Sequence, residues 1–143
     1  MYDQQIKLMT VLTKMNRALN DKLSKDLRSR GITPTDYMIL SVLRDGKEIP
    51  MQRLGKLVLI TSGTITYATN RLIKQDMILK RQDPLDNRRF HISLSDAGRT
   101  RLQMVNEGHE PYLARLLSDF TVEDLDDFTE MVKRIGRSVE SKG

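Results

Sequence analysis

The feature that most constrains the fold of this chain is a change of hydrophobic period between residues 78 and 94. On either side of this stretch, apolar side chains recur every three or four residues, as they do on one face of an α-helix. Inside it, Phe90, Ile92 and Leu94 alternate with polar residues, which predicts a strand with one buried face. The sequence therefore predicts a mainly α fold with a small β-hairpin.

The two ends of the chain are predicted to be long helices with narrow apolar stripes. Residues 4–29 form the first, and Gly31 is expected to end it because glycine accepts the left-handed conformation after a helix. Residues 121–140 form the second, with Thr121 in the capping position. A narrow stripe on a long helix is typical of packing against a second subunit, so both are expected to be dimerisation helices.

A helix-turn-helix is predicted between them. Thr33 is expected to cap a helix, with Asp36 close to completing a capping box. A short helix over residues 51–59, a tight turn at 59–61 and a helix over 62–75 capped by Ser62 follow, which is the spacing of this motif. Ile49 is expected to form a short strand pairing.

The hairpin that follows has strands at 78–82 and 89–94, joined by a loop rich in Pro, Asp and Asn. The loop leads into the dipeptide Arg88-Arg89. Ser95 is predicted to cap a helix that runs to about residue 117, with a kink or break near Pro111 because proline has no amide to donate.

The basic charge of the chain is concentrated in this middle region. The 143 residues carry a formal charge of +5, and residues 50–93 hold eight basic against three acidic side chains. Residues 101–143 hold six basic and nine acidic side chains. Basic clustering favours a polyanionic partner through release of counterions from phosphates, with an ordinary solvated surface as the alternative.

Several classes of function are disfavoured. The chain has no cysteine, which excludes a disulfide framework, thiolate metal sites and thiol chemistry. No nucleophile, phosphate-loop or zinc-protease motif is present, so an enzyme is not expected. We expect His91 and His109 to be satisfied by neighbouring groups, with no metal and no cofactor. No apolar run is long enough for a membrane span and no signal peptide is apparent, which predicts a cytoplasmic protein.

One run of residues resembles a known family. Residues 86–98, DNRRFHISLSDAG, are similar to the wing signature of the multiple-antibiotic-resistance regulator (MarR) family, with Ser95 where threonine is usual. Residues 54–72 also resemble the recognition unit of this family. The resemblance covers essentially the whole chain, including its length and the order of its helices.

The resemblance implies a homodimeric transcriptional regulator, usually a repressor, that binds a pseudo-palindromic operator in double-stranded DNA. It implies a single domain over residues 1–143, in which 32–95 form the winged helix-turn-helix and 1–31 and 96–143 form the dimerisation helices. The alternative is a nonspecific or architectural DNA-binding protein without ligand control.

The resemblance also implies a set of DNA contacts. Arg88 is expected to enter the minor groove, with Asp86 orienting it. Arg89 is at the start of a strand, so two orientations are open for its side chain, toward DNA or away from it. Solvation or half-buried packing is the alternative for the recognition-helix residues, above all for Tyr67. The other predicted contacts are Arg53, Ser62, Gly63, Thr64, Thr66, Tyr67, Asn70 and Arg71.

A small effector is implied as well. Members of the family often bind a phenolic or other aromatic compound between the dimer helices and the winged domain. The run Ser-Gly-Thr-Ile-Thr-Tyr is similar to the branch that responds to quinones and phenols. Because the chain has no cysteine, either its response is noncovalent or the chain lies outside that branch. The predicted pocket residues are Met9, Leu12, Met15, Tyr37 and Met38, with filling of core gaps as the alternative for the methionines.

Overall fold

A computed structural model describes residues 2–58 and 62–143, and for residues 62 and 63 it describes the backbone only. Two compact units, Met1–His109 and Glu110–Gly143, are treated separately below. The elements are α1 (Asp3–Ser29), α2 (Pro34–Val42), β1 (Ile49–Pro50), α3 (Met51–Val58), α4 (Ser62–Lys74), β2 (Ile78–Gln82), β3 (Phe90–Leu94), α5 (Asp96–Leu116) and α6 (Val122–Ser141).

The predicted fold class is confirmed. The hairpin strands and Ile49 form one antiparallel sheet in the order β1-β3-β2, with Ile49 opposite Ile92 and Ile78 opposite Leu94. The strand β3 begins at Phe90, one residue later than predicted. The predicted turn at residues 59–61 lies outside the described residues.

The start of α2 differs in one detail from the prediction. The hydroxyl of Thr33 accepts a hydrogen bond from the amide of Asp36 at 3.1 Å, as an N-cap should. The Asp36 carboxylate, however, is bonded to Arg71 of α4 and does not complete a capping box. Gly31 follows α1 with a φ of +80°, so the predicted helix end is confirmed.

A buried apolar cluster holds the helix-turn-helix against the sheet. Its most buried members come from α2, α3, β2 and β3, each with almost no solvent exposure: Ile39, Leu40, Leu43, Leu54, Ile78 and Ile92. Burying such side chains contributes about 1.5–3 kcal/mol each relative to leaving them exposed. This cluster therefore sets the orientation of α3, α4 and the hairpin.

The helix α5 begins as predicted but does not break. Ser95 donates its hydroxyl to the carbonyl of Asp76 at 2.5 Å and accepts from the amide of Gly98 at 3.0 Å. The helix continues through Pro111 to Leu116, so a break near Pro111 is wrong, and a kink there stays a prediction. A proline removes one backbone donor, which by itself does not end a helix.

The second unit contains the end of α5 and all of α6. Thr121 and Asp124 form a reciprocal capping box, in which the Thr121 hydroxyl accepts from the Asp124 amide at 3.1 Å. Several large apolar side chains of α6 are about half exposed or more, namely Val122, Phe128, Met131 and Val139. Among the described residues, no helix combines the length and the apolar character that crossing a bilayer requires.

Candidate nucleic-acid interface

The helix α4 buries one face and displays the other. Ile65, Ala68 and Leu72 are buried, so the spacing of the helix turns the intervening side chains outward. The predicted contacts Thr64, Thr66, Tyr67 and Asn70 are exposed, and Tyr67 is 72% exposed. The half-buried alternative for Tyr67 is therefore wrong, whereas contact of this face with DNA stays a prediction.

Arg71 is placed differently from its predicted role. Its Nη2 donates to both carboxylate oxygens of Asp36, at 2.5 and 2.6 Å, and only about a third of its side chain is exposed. Asp36 is itself buried, and a buried carboxylate requires such a partner. Arg71 therefore ties α4 to α2, and it is less available to a ligand than its neighbours.

Three further predicted contacts are near the start of the motif. Arg53 is exposed on α3, as a phosphate contact would require. Ser62 and Gly63 form the first turn of α4, but their side-chain positions, and with them the predicted cap by Ser62, lie outside the described residues.

The loop between β2 and β3 presents the two predicted wing arginines. The side chains of Arg88 and Arg89 are 90% and 64% exposed. Asp86 Oδ1 accepts from the Arg88 amide at 3.0 Å and lies 3.5 Å from its Nε, while Asp86 Oδ2 lies 3.7 Å from Arg89 Nε. Asp86 is therefore positioned to orient Arg88, and both guanidinium groups remain open to an anionic partner.

A second aspartate, which the sequence analysis did not single out, holds the shape of this loop. Asp83 Oδ1 accepts from the amides of Leu85 and Asp86 at 2.8 and 3.3 Å. The Asp83 amide donates to the carbonyl of Arg89 at 2.9 Å, and Gln82 Nε2 donates to the carbonyl of Asn87 at 2.8 Å. Aspartate commonly bonds to the amides that follow it in a turn, so the Asp83-Pro84 pair carried a local signal for this role.

Below the loop, charged side chains cross the solvent face of the sheet. Arg81 donates to Glu48 through Nε at 2.8 Å and Nη2 at 3.1 Å, and it lies opposite His91 in the sheet. His91 Nε2 lies 2.9 Å from Asp83 Oδ2. The hydrogen bond from His91 lowers the pKa of Asp83, and the hydrogen bond from Arg81 lowers the pKa of Glu48.

The other histidine is buried between helices. His109 of α5 is 2% exposed, and its Nδ1 lies 2.7 Å from Asp26 Oδ2 of α1. Arg30 donates to the same carboxylate, and this hydrogen bond is the largest cause that lowers the pKa of Asp26. Both histidines are therefore paired, as expected. Within residues 2–58 and 62–143, no group of three metal-ligating side chains lies close enough to hold a metal ion.

The predicted effector residues are not gathered in one place. Met9 lines a shallow depression of about 360 Å³ on α1 with Thr10, Thr13 and Lys14. Met15 is 37% exposed, and Leu12 is partly exposed.

The α2 members of the predicted set are in a different environment. Tyr37 and Met38 pack against the core, and the Tyr37 hydroxyl donates to Asn106 Oδ1 at 2.7 Å. A separate cavity of about 150 Å³ is bounded by polar and cationic side chains that include Asp36, Arg71, Gln75 and Arg101.

Comparisons with known proteins place this geometry in a family. The family model described as MarR family matches residues 32–90. The HTH-type transcriptional regulator MhqR of Bacillus subtilis is 28% identical over 136 residues, which cover 95% of this chain and 94% of MhqR. The solved structure of AbsC, a MarR family transcriptional regulator from Streptomyces coelicolor, matches with a TM-score of 0.83 and 22% identity, covering 99% of this chain and 97% of that one.

A mutant of E. coli MarR, solved in complex with operator DNA, matches with a TM-score of 0.78 and 18% identity over 94% of this chain and 97% of that one. The matched segment contains α2, α3, α4 and the wing loop, which are the elements that display the exposed polar and cationic groups. Residues 32–90 therefore match the MarR family model, and the fold of the chain is that of the solved winged helix-turn-helix proteins.

Proposed function

We propose that the chain is a homodimeric repressor that binds a pseudo-palindromic operator and is released by a noncovalently bound aromatic or phenolic ligand. In this proposal α4 enters a major groove and the loop over residues 83–89 reaches the adjacent minor groove. Two such subunits would place their recognition helices about one helical turn, or roughly 34–36 Å, apart along the duplex.

The observation that carries the DNA-binding part is the exposure of Arg88. Its side chain is 90% exposed on a hydrogen-bonded loop, and its carboxylate contact with Asp86, at 3.5 Å, is long for a charge-assisted bond. An arginine displayed in this way suits the narrow minor groove, where the negative potential is strongest. The exposed Tyr67 and Asn70 of α4 supply side chains able to reach base edges or phosphates. The related fold that was solved with operator DNA supports the same role.

Dimerisation is supported by the surface of the two terminal helices. On α1, Ile6 and Met9 are more than 60% exposed, whereas Leu27 at the other end of the same helix is buried. On α6, Phe128 and Met131 are each 48% exposed. Rows of large apolar side chains left in water are typical of surfaces that are covered in an assembly. A second copy of the chain is the partner that the family resemblance implies.

The effector part is supported by the cavity beside Asp36 and Arg71. A volume of about 150 Å³ accommodates one aromatic ring, since cavities of that size bind benzene. Arg101 at its boundary would favour a phenolate or carboxylate over a neutral ring, whereas Arg71 is already bonded to Asp36. A ligand there would contact both α2 and α4, so it would change DNA affinity if it binds one orientation of α4 better than another. The pocket predicted around Met9 and Tyr37 remains the second site to test.

The proposal is tested by selecting duplexes from random DNA with the wild-type protein and footprinting the enriched sequence. We expect one inverted repeat, bound far more tightly than random DNA at the same salt concentration. Arg88→Ala should weaken binding by about tenfold or more and reduce the slope of affinity against salt by about one. Arg44→Ala, which removes the same charge from the exposed turn after α2, should change affinity much less.

The rival hypothesis of a nonspecific or architectural protein predicts a different result. Selection would then enrich no sequence, and the affinity for every duplex would depend on salt alone. If Arg88→Ala keeps both the sequence preference and the salt slope of the wild type, the assignment of the wing is wrong.

Two further measurements address the assembly and the ligand. Light scattering at micromolar concentration should give twice the mass of one chain, and a monomer would refute the dimer. Phenol, catechol and benzoate, titrated separately into the protein–operator complex, should release the DNA if the effector site is correctly placed. Arg101→Ala should weaken that release without changing operator affinity in the absence of the compound.

A further inference from the structure

The base of the wing carries a row of four charged or titratable side chains that no DNA contact accounts for. They come from four separate places: Glu48 precedes β1, Arg81 lies on β2, His91 lies on β3, and Asp83 lies in the loop beside His91. Arg81 is bonded to Glu48 through two nitrogens, so its charge is directed across the sheet and away from the tip of the loop. His91 is the member of the row that contacts the loop itself.

Asp83 uses its two oxygens for two different purposes. Oδ1 holds the amides of Leu85 and Asp86, which fixes the turn that leads to Arg88. Oδ2 is held by the imidazole of His91 at 2.9 Å. The orientation of the carboxylate that shapes the loop is thus set by a side chain on the central strand of the sheet.

We propose that Asp83 and His91 are positioning residues for Arg88, acting through the hydrogen bonds that hold the loop. The inference rests on the proposed function, because it requires that the wing contacts DNA.

The hydrogen bonds of the loop support this role. Asp83 Oδ2 lies 2.9 Å from His91 Nε2, which leaves Oδ1 to accept from the amides of Leu85 and Asp86. Asp86 Oδ1 in turn accepts from the Arg88 amide at 3.0 Å. His91 therefore acts on Arg88 through two successive aspartates.

The test measures affinity for a fluorescent 30-base-pair duplex enriched by the wild-type protein, at constant salt and pH. His91→Ala removes the donor to Asp83 and should bind about threefold to tenfold more weakly than wild type, the loss of one hydrogen bond. His91→Gln keeps an N–H donor, so its affinity should stay within about twofold of wild type. Asp83→Ala should also bind more weakly than wild type, and Asp83→Asn, which keeps an acceptor for the two amides, should restore part of the affinity.

The controls separate this inference from the proposed function and from a loss of folding. Thermal melts of the His91 and Asp83 variants should match that of wild type. In the free protein, the amide resonance of Leu85 should differ from wild type in His91→Ala and match it in His91→Gln. Wild-type affinity of His91→Ala, with Arg88→Ala defective, would overturn the role of His91 alone. Normal binding by Arg88→Ala would overturn the wing contact and this inference with it.

Discussion

Substitution of Gly98 by alanine should test how tightly the hairpin is joined to α5. An added Cβ at this position would lie under 3.0 Å from the carbonyl oxygen of Met77 and 2.8 Å from Leu94 Cδ1. The Met77 carbonyl cannot move without loss, because it accepts a hydrogen bond from the amide of Ser95 at 3.1 Å. The amide of Gly98 is in turn held by the Ser95 hydroxyl at 3.0 Å.

The expected magnitude combines three effects. Overpacking a close contact costs about 1–3 kcal/mol. Displacement of the Met77 carbonyl would sacrifice a hydrogen bond that contributes about 0.5–1.5 kcal/mol. Alanine is favoured over glycine inside a helix by about 0.5–1 kcal/mol, which opposes the loss. Gly98→Ala should therefore lower the free energy of unfolding by about 2 kcal/mol.

Urea unfolding followed by circular dichroism measures this change, at one protein concentration because the proposed dimer would couple stability to concentration. Gly55→Ala in α3 is the matched control, since an added Cβ there meets nothing within 4 Å. The control should be unchanged or more stable by about 0.5–1 kcal/mol, the helix preference alone. If Gly98→Ala is as stable as wild type, the backbone at Met77 moves to accept the added Cβ at no cost in free energy. The prediction from the close contact would then be wrong.

Three other substitutions have definite expected outcomes. Asp36→Asn should reduce the free energy of unfolding by about 1–3 kcal/mol, because it weakens a charge-assisted bond to Arg71; unchanged urea midpoints would refute the tie between α2 and α4. The bond from Arg30 lowers the pKa of Asp26 in the folded state, so the stability it contributes is present above about pH 4 and is lost as pH falls further. Melting temperatures of Asp26→Asn should thus depend less on pH between about 5 and 2 than those of wild type. Thr121→Ala removes the cap of α6 and should cost about 1 kcal/mol, seen as a loss of helical ellipticity on heating, whereas Thr121→Ser should behave as wild type.

The sequence by itself determined those features that depend on neighbouring residues. The period of apolar side chains located the helices and the hairpin to within a residue or two, because each period reports which face of a single element is buried. Caps such as Thr33 and Thr121 were readable for the same reason, since a capping hydroxyl bonds to an amide three residues away. The wing signature and the exposed face of α4 were likewise found in short runs of sequence.

Only the tertiary structure decided how distant polar groups are paired. Arg71 was predicted to be a DNA contact, but it is bonded to Asp36, 35 positions earlier. His109 meets Asp26 across 83 positions of the sequence. A sequence period shows that a side chain faces inward or outward, yet it does not show which atom of another element it will meet. The partner is set by how the helices pack around the apolar core. This packing places Arg71 beside Asp36, whereas Arg88 on the wing loop stays exposed.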